Sequence, residues 1–383
     1  MELALELMAI PGKSGQEGKV AQFIHDRLQQ AGVVAASFRS DTAHRRSILR
    51  GETGNLILKL GGTQRTPRRL FTAHMDTVPV CVGCRPVRVG RQIRSSDPGT
   101  GIGADDRAGC AVLLNTALEI VERRLPHPPL TFCWFVQEEI GLQGARHLSK
   151  SLLGNPRLAF NFDGGSSAKL TVGATGGYRM VVHVFGLASH AGGAPEQGIS
   201  AIAIASLAIA DLHRSGWHGD ICKAGRHGTS NIGHISGGEA TNVVTDRVLI
   251  RAEARSHDAV FRQQIVAQIK DAFGRAVREV QNDAGACGRV SIAGRLDYES
   301  FRLAPDEPCV RMAEEAVRSV GREPQQAITN GGLDANWLVV HGIPTVSLGC
   351  GQRNQHMTSE MLDVPEFEDA CRIALRLATP VEP

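Results

Sequence analysis

Apolar residues recur at helical spacing at Val20, Phe23, Ile24 and Leu28, which predicts an amphipathic helix ending near Gly32. Ser14 followed by Glu17 reads as a capping box ahead of it. Short apolar runs then occupy residues 55–60, 70–73, 130–136 and 158–162, with 106–123 and 142–153 reading as helices between them. Alternation of this kind predicts an α/β domain built on a largely parallel sheet.

From about Gly177 the pattern changes. A strand over 178–185 is followed by a helix over 198–213, strands over 229–236 and 246–255, a helix over 258–281 and a strand over 289–298. This βαββαβ order is that of a split-βαβ, ferredoxin-like unit, and it reads as an inserted lid. The α/β pattern resumes after about residue 300, with a helix over 308–320 and an apolar strand over 344–348. The expected organisation is therefore a catalytic domain made of residues 1–176 and 299–383, interrupted by a lid over 177–298.

Composition adds exclusions. A chain of 383 residues exceeds what one hydrophobic core usually supports, so two domains with a cleft are expected. The formal net charge is +3 and basic residues come in scattered pairs such as Arg45-Arg46 and Arg123-Arg124, a pattern that argues against a nucleic-acid partner. Nine cysteines without framework spacing suit reduced thiols, and hence a cytoplasmic location. The first twelve residues carry Glu2 and Glu6 and no basic stretch, unlike a signal peptide, and no apolar run reaches membrane-spanning length.

Candidate chemistry gathers where open α/β sheets place their sites, at the carboxyl ends of strands. The run 70–73 leads directly into His74 and Asp76. Asp105 and Asp106 follow a glycine-rich turn, Glu138 and Glu139 follow the run 130–136, Asp163 follows 158–162, and His356 lies beyond 344–348. Carboxylates brought together in an interior repel one another unless cations lie between them, so the set reads as a catalytic zinc or mixed-metal site with an open position for water. Asp76 is placed to hold the second ring nitrogen of His74. Of the paired glutamates, one can ligate while its neighbour takes a proton from water. Gly99–Gly103 lacks the buried strand that a dinucleotide fingerprint requires, which leaves a nicotinamide-dependent oxidoreductase as a distant rival. Cys81 and Cys84 lack a second matching pair and read as two loop thiols rather than a zinc knuckle.

The segments His74–Pro79, Gly103–Gly109, Glu138–Gly141, Asp163–Gly165 and Ser189–Gly192, with the stretch around His356, resemble the di-zinc exopeptidase family of peptidase T, carboxypeptidase G and aminoacylase. The resemblance spans nearly the whole chain in the right order. It implies two zinc ions per subunit, with cobalt or manganese as substitutes, and a cis peptide between Asp105 and Asp106. Asp105 would bridge the two ions, His74 and Asp163 would complete one site, and Glu139 and His356 the other. Asp76 would orient His74, and Glu138 would act as general base. In the lid, which the family also uses for dimerisation, His190 would reach the partner subunit's active site as an oxyanion donor. Asn242 and Arg255 would contact substrate, and Gly332 would line the cleft. The stretch 331–336 is nearest in style to the peptidase T branch, so the expected activity is that of an aminopeptidase on short peptides acting as a homodimer. A carboxypeptidase or N-acyl-amino-acid deacylase would use the same metal set, and a non-catalytic metal-binding relative is the alternative of another class.

Overall fold

The computed structural model describes residues 1–380. The chain forms two compact units, one made of Met1–Ala174 and the chain from Arg302 onward, the other of Thr175–Phe301.

In the first unit, four of the apolar runs become the parallel centre of a sheet. Leu130–Phe135, Arg69–His74, Leu158–Phe162 and Thr345–Leu348 lie side by side in that order. Leu130–Phe135 is buried along its whole length, as a strand covered on both faces must be. Leu56–Leu60 and Phe38–Ser40 extend the sheet antiparallel on one side. On the other side, Lys169–Ala174 runs antiparallel to Thr345–Leu348, and Gln325–Thr329 pairs with it in parallel. The sheet is mixed, with its parallel strands at the centre.

Ala104–Glu122 packs against the strand Arg69–His74, and most of its residues are buried. A helix that the periodicity did not reveal, Glu2–Ala9, packs against it, as does the C-terminal helix Val364–Ala378. Fully buried Arg107 binds this N-terminal segment from within, donating to the carbonyls of Leu7 at 2.9 Å and Gly12 at 3.1 Å. These bonds replace part of what the guanidinium would find in water, while its buried Nε has no partner among the described residues.

Two expectations are corrected. The capping box does not form: the helix Gly18–Gln30 has no side-chain cap, and Ser14 instead donates to Asp76 at 2.6 Å. Glu17 accepts from the amides of Gly15 and Gln137. Both side chains turn toward the strand ends, where buried donors and carboxylates compete for them. The single helix over 142–153 is also absent. A four-residue helix, Gln143–Arg146, and a 3-10 turn, Lys150–Leu153, stand in its place. Between them the Asp41 carboxylate captures the Ser149 amide at 3.1 Å and takes it off the helical ladder.

The second unit has a five-stranded antiparallel sheet ordered Gly219–Lys223, Arg226–Gly237, Arg247–Ser256, Gly176–Phe185, Arg289–Tyr298. Four of these strands and the helices Ala201–Arg214 and Ala259–Glu279 follow the βαββαβ order, and Gly219–Lys223 adds an edge hairpin. The helices bury Ile204, Ala208, Phe261, Ile265 and Phe273 against Val182, Val184 and Ile250 of the sheet. Asp258 caps the longer helix through the amides of Val260 and Phe261, and Ser200 caps the shorter one.

Asn55 sets the position of the loop that carries the paired glutamates. Its side-chain oxygen accepts from Val136, and its amide donates to Gly144 and to Asp41, each within 3.1 Å. The residue is wholly buried, so Asn55→Leu leaves several donors and acceptors without partners. The expected loss is on the order of 3 kcal/mol of unfolding free energy, read from the urea midpoint at constant m-value. A change under about 0.5 kcal/mol, the level of an ordinary surface substitution, would show that the loop is held by other means.

Candidate metal centre

His74 is the last residue of Arg69–His74 and is 1% exposed. Its Nδ1 lies 3.1 Å from the carbonyl oxygen of Asp76 and 3.4 Å from that residue's carboxylate. Its Nε2 lies 3.1 Å from Oδ1 of Asp105. The Asp76 carboxylate also accepts from the amides of Glu138 at 2.9 Å and Glu139 at 3.2 Å. One buried acid therefore touches the imidazole and fixes the turn of the two glutamates.

Asp105 stands at the kinked start of Ala104–Glu122, where its peptide bond to Asp106 is cis. Its second oxygen, Oδ2, is 3.4 Å from Nε2 of His356. The same His356 nitrogen lies 3.0 and 3.1 Å from the two carboxylate oxygens of Glu139. Asp105 thus faces one histidine with each oxygen. Ligand atoms of His74, Glu138 and Asp163 fall within 4.8 Å of one another, and so do those of His74, Asp105 and Glu139.

The electrostatics are those of crowded acids. Burial raises the Glu138 and Glu139 carboxyls above their ordinary range, and burial with the nearby charge of Asp105 lifts Asp163 to about 7. Burial would raise Asp105 as well, but its hydrogen bonds to His356 and His74 hold it below the usual carboxylate range. Those bonds, from Asp105 first and then Glu139, push His356 up to about 10. Burial works against charge on His74, yet its bonds to Asp105 and Asp76 raise it well above an ordinary imidazole.

Several supporting residues escaped sequence reasoning. Glu360, 1% exposed, accepts from the amides of Gly103 at 2.8 Å and Asp105 at 3.0 Å and so holds the turn before the helix. Gln352 donates to Asp106 at 2.7 Å, and Asp106 in turn accepts from the His74 amide. Asp334, 1% exposed, has both carboxylate oxygens without hydrogen-bond partners, and burial raises it well above an ordinary aspartate. Only Asp334 carried a signal, since it sits in the Gly331–Asn336 stretch. The others are single polar residues whose partners are distant in sequence. Cys81 and Cys84 are buried rather than free in a loop, and Cys81 donates to Glu360 while Cys84 donates to Met8 and Ile102.

A cavity of about 230 Å³ opens on the cluster, with Gly332 in its wall beside Asp105, Glu138, Glu139 and Asp163. The remaining candidates lie in the second unit. His190 is exposed, and its Nδ1 accepts from the amides of Gly192 at 3.1 Å and Gly193 at 2.9 Å, which leaves Nε2 to carry the ring proton. Asn242 is exposed, and its carbonyl accepts from Ala191. The Arg255 guanidinium is engaged by both oxygens of Glu253, at 3.0 and 3.1 Å.

The donor set fits a pair of divalent cations. It offers two imidazoles and four carboxylates at one edge, with no thiolate among them, and a carboxylate whose two oxygens face different histidines. His74, Asp105 and Asp163 would hold one ion, and Asp105, Glu139 and His356 the other.

Comparison with known proteins agrees with this architecture. Residues 70–379 match the model of Peptidase family M20/M25/M40. The chain is 33% identical over 368 residues to the protein YqjE of Bacillus subtilis (strain 168), covering 96% of this chain and 94% of that one. The solved structure of a tripeptidase from Staphylococcus aureus superposes with a TM-score of 0.87 at 29% identity, covering 98% of this chain and 96% of that one. That of the aminopeptidase PepT from Bacillus cereus gives 0.82 at 32% identity, with the same coverage.

Metal should therefore stabilise the fold. Zinc added to protein stripped with a chelator is expected to raise the melting temperature by several degrees, because binding to the native state alone shifts unfolding by mass action. Asp105→Asn should remove most of that gain. An unchanged melting curve for the stripped wild-type protein on adding zinc would argue against the centre.

Proposed function

The chain belongs to Peptidase family M20/M25/M40, and we propose that it is a two-metal exopeptidase that releases the amino-terminal residue from short peptides. The observation that carries this reading is the Asp105 carboxylate, with Oδ1 against His74 and Oδ2 against His356 at one edge of the parallel strands. The tripeptidase and aminopeptidase structures that superpose on nearly the full chain support the substrate class.

Two divalent cations, zinc by preference and cobalt or manganese as substitutes, would supply Lewis acidity that activates water and polarises the scissile carbonyl. The chain's own residues would do the rest. Glu138 lines the cavity, and burial raises its carboxyl well above the ordinary range, which strengthens it as a proton acceptor. It is assigned as the group that takes a proton from water and returns it to the departing amine. Glu139, in contact with His356, is assigned to ligation. Asp76 holds His74 and, through its bonds to the two glutamate amides, keeps base and ligand aimed differently.

His190 is assigned as an oxyanion donor. Two backbone amides occupy its Nδ1, so Nε2–H is the face left for substrate. Asn242 and Arg255 are assigned to substrate contact, although Arg255 would have to share its fork with Glu253. We assign the second unit the roles of lid and dimer contact, so that His190 would act on the partner subunit's site. Among the described residues no helix is long and apolar enough to cross a membrane, and a cytoplasmic location is part of the proposal.

The test is hydrolysis of free tripeptides by zinc-loaded protein against N-acetylated and C-terminally amidated versions. Cleavage is expected to need the free amino terminus. In Glu138→Gln, turnover should fall by at least about a thousandfold with zinc content unchanged, the scale of losing the proton-transfer group. Cleavage confined to N-acylated substrates would move the enzyme to the deacylase or carboxypeptidase branch, and near-wild-type turnover in Glu138→Gln would remove it as the base.

A further inference from the structure

The cavity beside the metal centre has an uneven charge pattern. Four of its lining residues are the carboxylates Asp105, Glu138, Glu139 and Asp163, and its one Lys or Arg is Lys169. Lys169 opens the strand Lys169–Ala174, tethered by its amide to the carbonyl of Ser166 at 3.0 Å and paired in register with Gln325. Thr171, two residues on, lines the same cavity, as the period of a strand requires. The half-buried Lys169 ammonium takes no part in an ion pair among the described residues. When two divalent cations balance the four acids, this ammonium is the uncompensated charge in the cavity. A half-buried cation next to neutralised acids favours an anionic ligand.

Resting on the exopeptidase reading, we propose that Lys169 is a specificity residue that receives a carboxylate from the leaving portion of the peptide, its terminal carboxylate or an acidic side chain. Arg255 is the less suited cation, because Glu253 already fills its fork. The placement of Lys169 also accounts for a preference for short substrates. Two extended residues span about 7 Å, so a di- or tripeptide keeps its terminal carboxylate within a lysine's reach of the cluster, whereas each further residue carries it roughly 3.5 Å away. Thr171 and Thr329, in the same wall, offer hydroxyls as further donors to the carboxylate.

The experiment compares wild type, Lys169→Gln and Arg255→Gln on three zinc-assayed substrates: a free tripeptide, its C-terminal amide, and that amide with aspartate at the leaving residue. Lys169→Gln is expected to raise KM for the free tripeptide roughly ten- to hundredfold, with kcat within about twofold, and to leave the plain amide unchanged. Wild type that handles the aspartyl amide as well as the free acid assigns the side chain as the source of the carboxylate; wild type that handles it as poorly as the plain amide assigns the terminus. Calorimetric titration of the free tripeptide and its amide into zinc-loaded Glu138→Gln and Lys169→Gln/Glu138→Gln proteins separates this inference from the exopeptidase reading. Binding that prefers acid to amide through Lys169 upholds the inference even if cleavage proves not to need a free amino terminus. Equal binding of acid and amide, or loss of the preference in Arg255→Gln rather than Lys169→Gln, overturns it.

Discussion

A single carboxylate facing two imidazoles, one through each oxygen, is the constraint around which the first unit is organised. Asp105 can occupy that position only if three elements converge. The strand Arg69–His74 must end at the right depth, the helix Ala104–Glu122 must start beneath it, and the loop beyond Thr345–Leu348 must return to bring His356 alongside. Parallel strands make this possible, because their carboxyl ends share one edge and each hands its next residues to the same space. The cost of the arrangement is the burial of charge, with like charges close by as a smaller part, visible in the raised carboxyls of Glu138, Glu139 and Asp163.

Repelling groups stay together only when the backbone behind them cannot relax. Asp76 binds the amides of both glutamates, Glu360 binds those of Gly103 and Asp105, and Asp106 binds that of His74. Acids outside the candidate ligand set are thus used as acceptors for the main chain of the residues that carry it. Asn55 and Asp41 hold main chain one layer further out, from positions that flank the antiparallel strands Leu56–Leu60 and Phe38–Ser40. Strain gathers at the same edge. Gln137, next to the glutamates, and His356 itself both adopt left-handed backbone angles, with φ of 57° and 65°. Non-glycine residues hold such conformations where surrounding contacts over-determine them.

The sequence revealed what depends on local pattern. The parallel runs, the long helices of both units and the positions of His74, Asp105, Glu138, Glu139, Asp163 and His356 at or beyond strand ends could all be read from periodicity and spacing. What could not be read depends on contacts between residues far apart in the chain. Ser14 and Glu17 satisfy a local capping rule, but Asp76 and the Gln137 amide offer stronger buried partners. The stretch 142–153 has helical periodicity, but Asp41 removes one amide from the ladder. The helix Glu2–Ala9 is too short to show a clear apolar stripe and is held by Arg107, whose role is legible only once its burial is known. Gly219–Lys223 pairs on one side alone, with Arg226–Gly237, and has one buried residue, so alternation gives it little contrast.

The buried thiols around the centre bear on which ions it can select. Cys81 donates to Glu360, Cys110 to the carbonyl of His74, and the Cys350 sulfur lies 3.8 Å from Asp106. Burial raises each of these thiols, and lifts the neighbouring Cys84 to about 11, so all four stay protonated at neutral pH. A protonated thiol is a hydrogen-bond donor and not a ligand. The softest atoms near the centre are thus held as hydrogen-bond donors and lie outside its candidate ligand set. The donors gathered at the centre are imidazole and carboxylate, a set that suits divalent ions such as zinc or manganese better than copper(I).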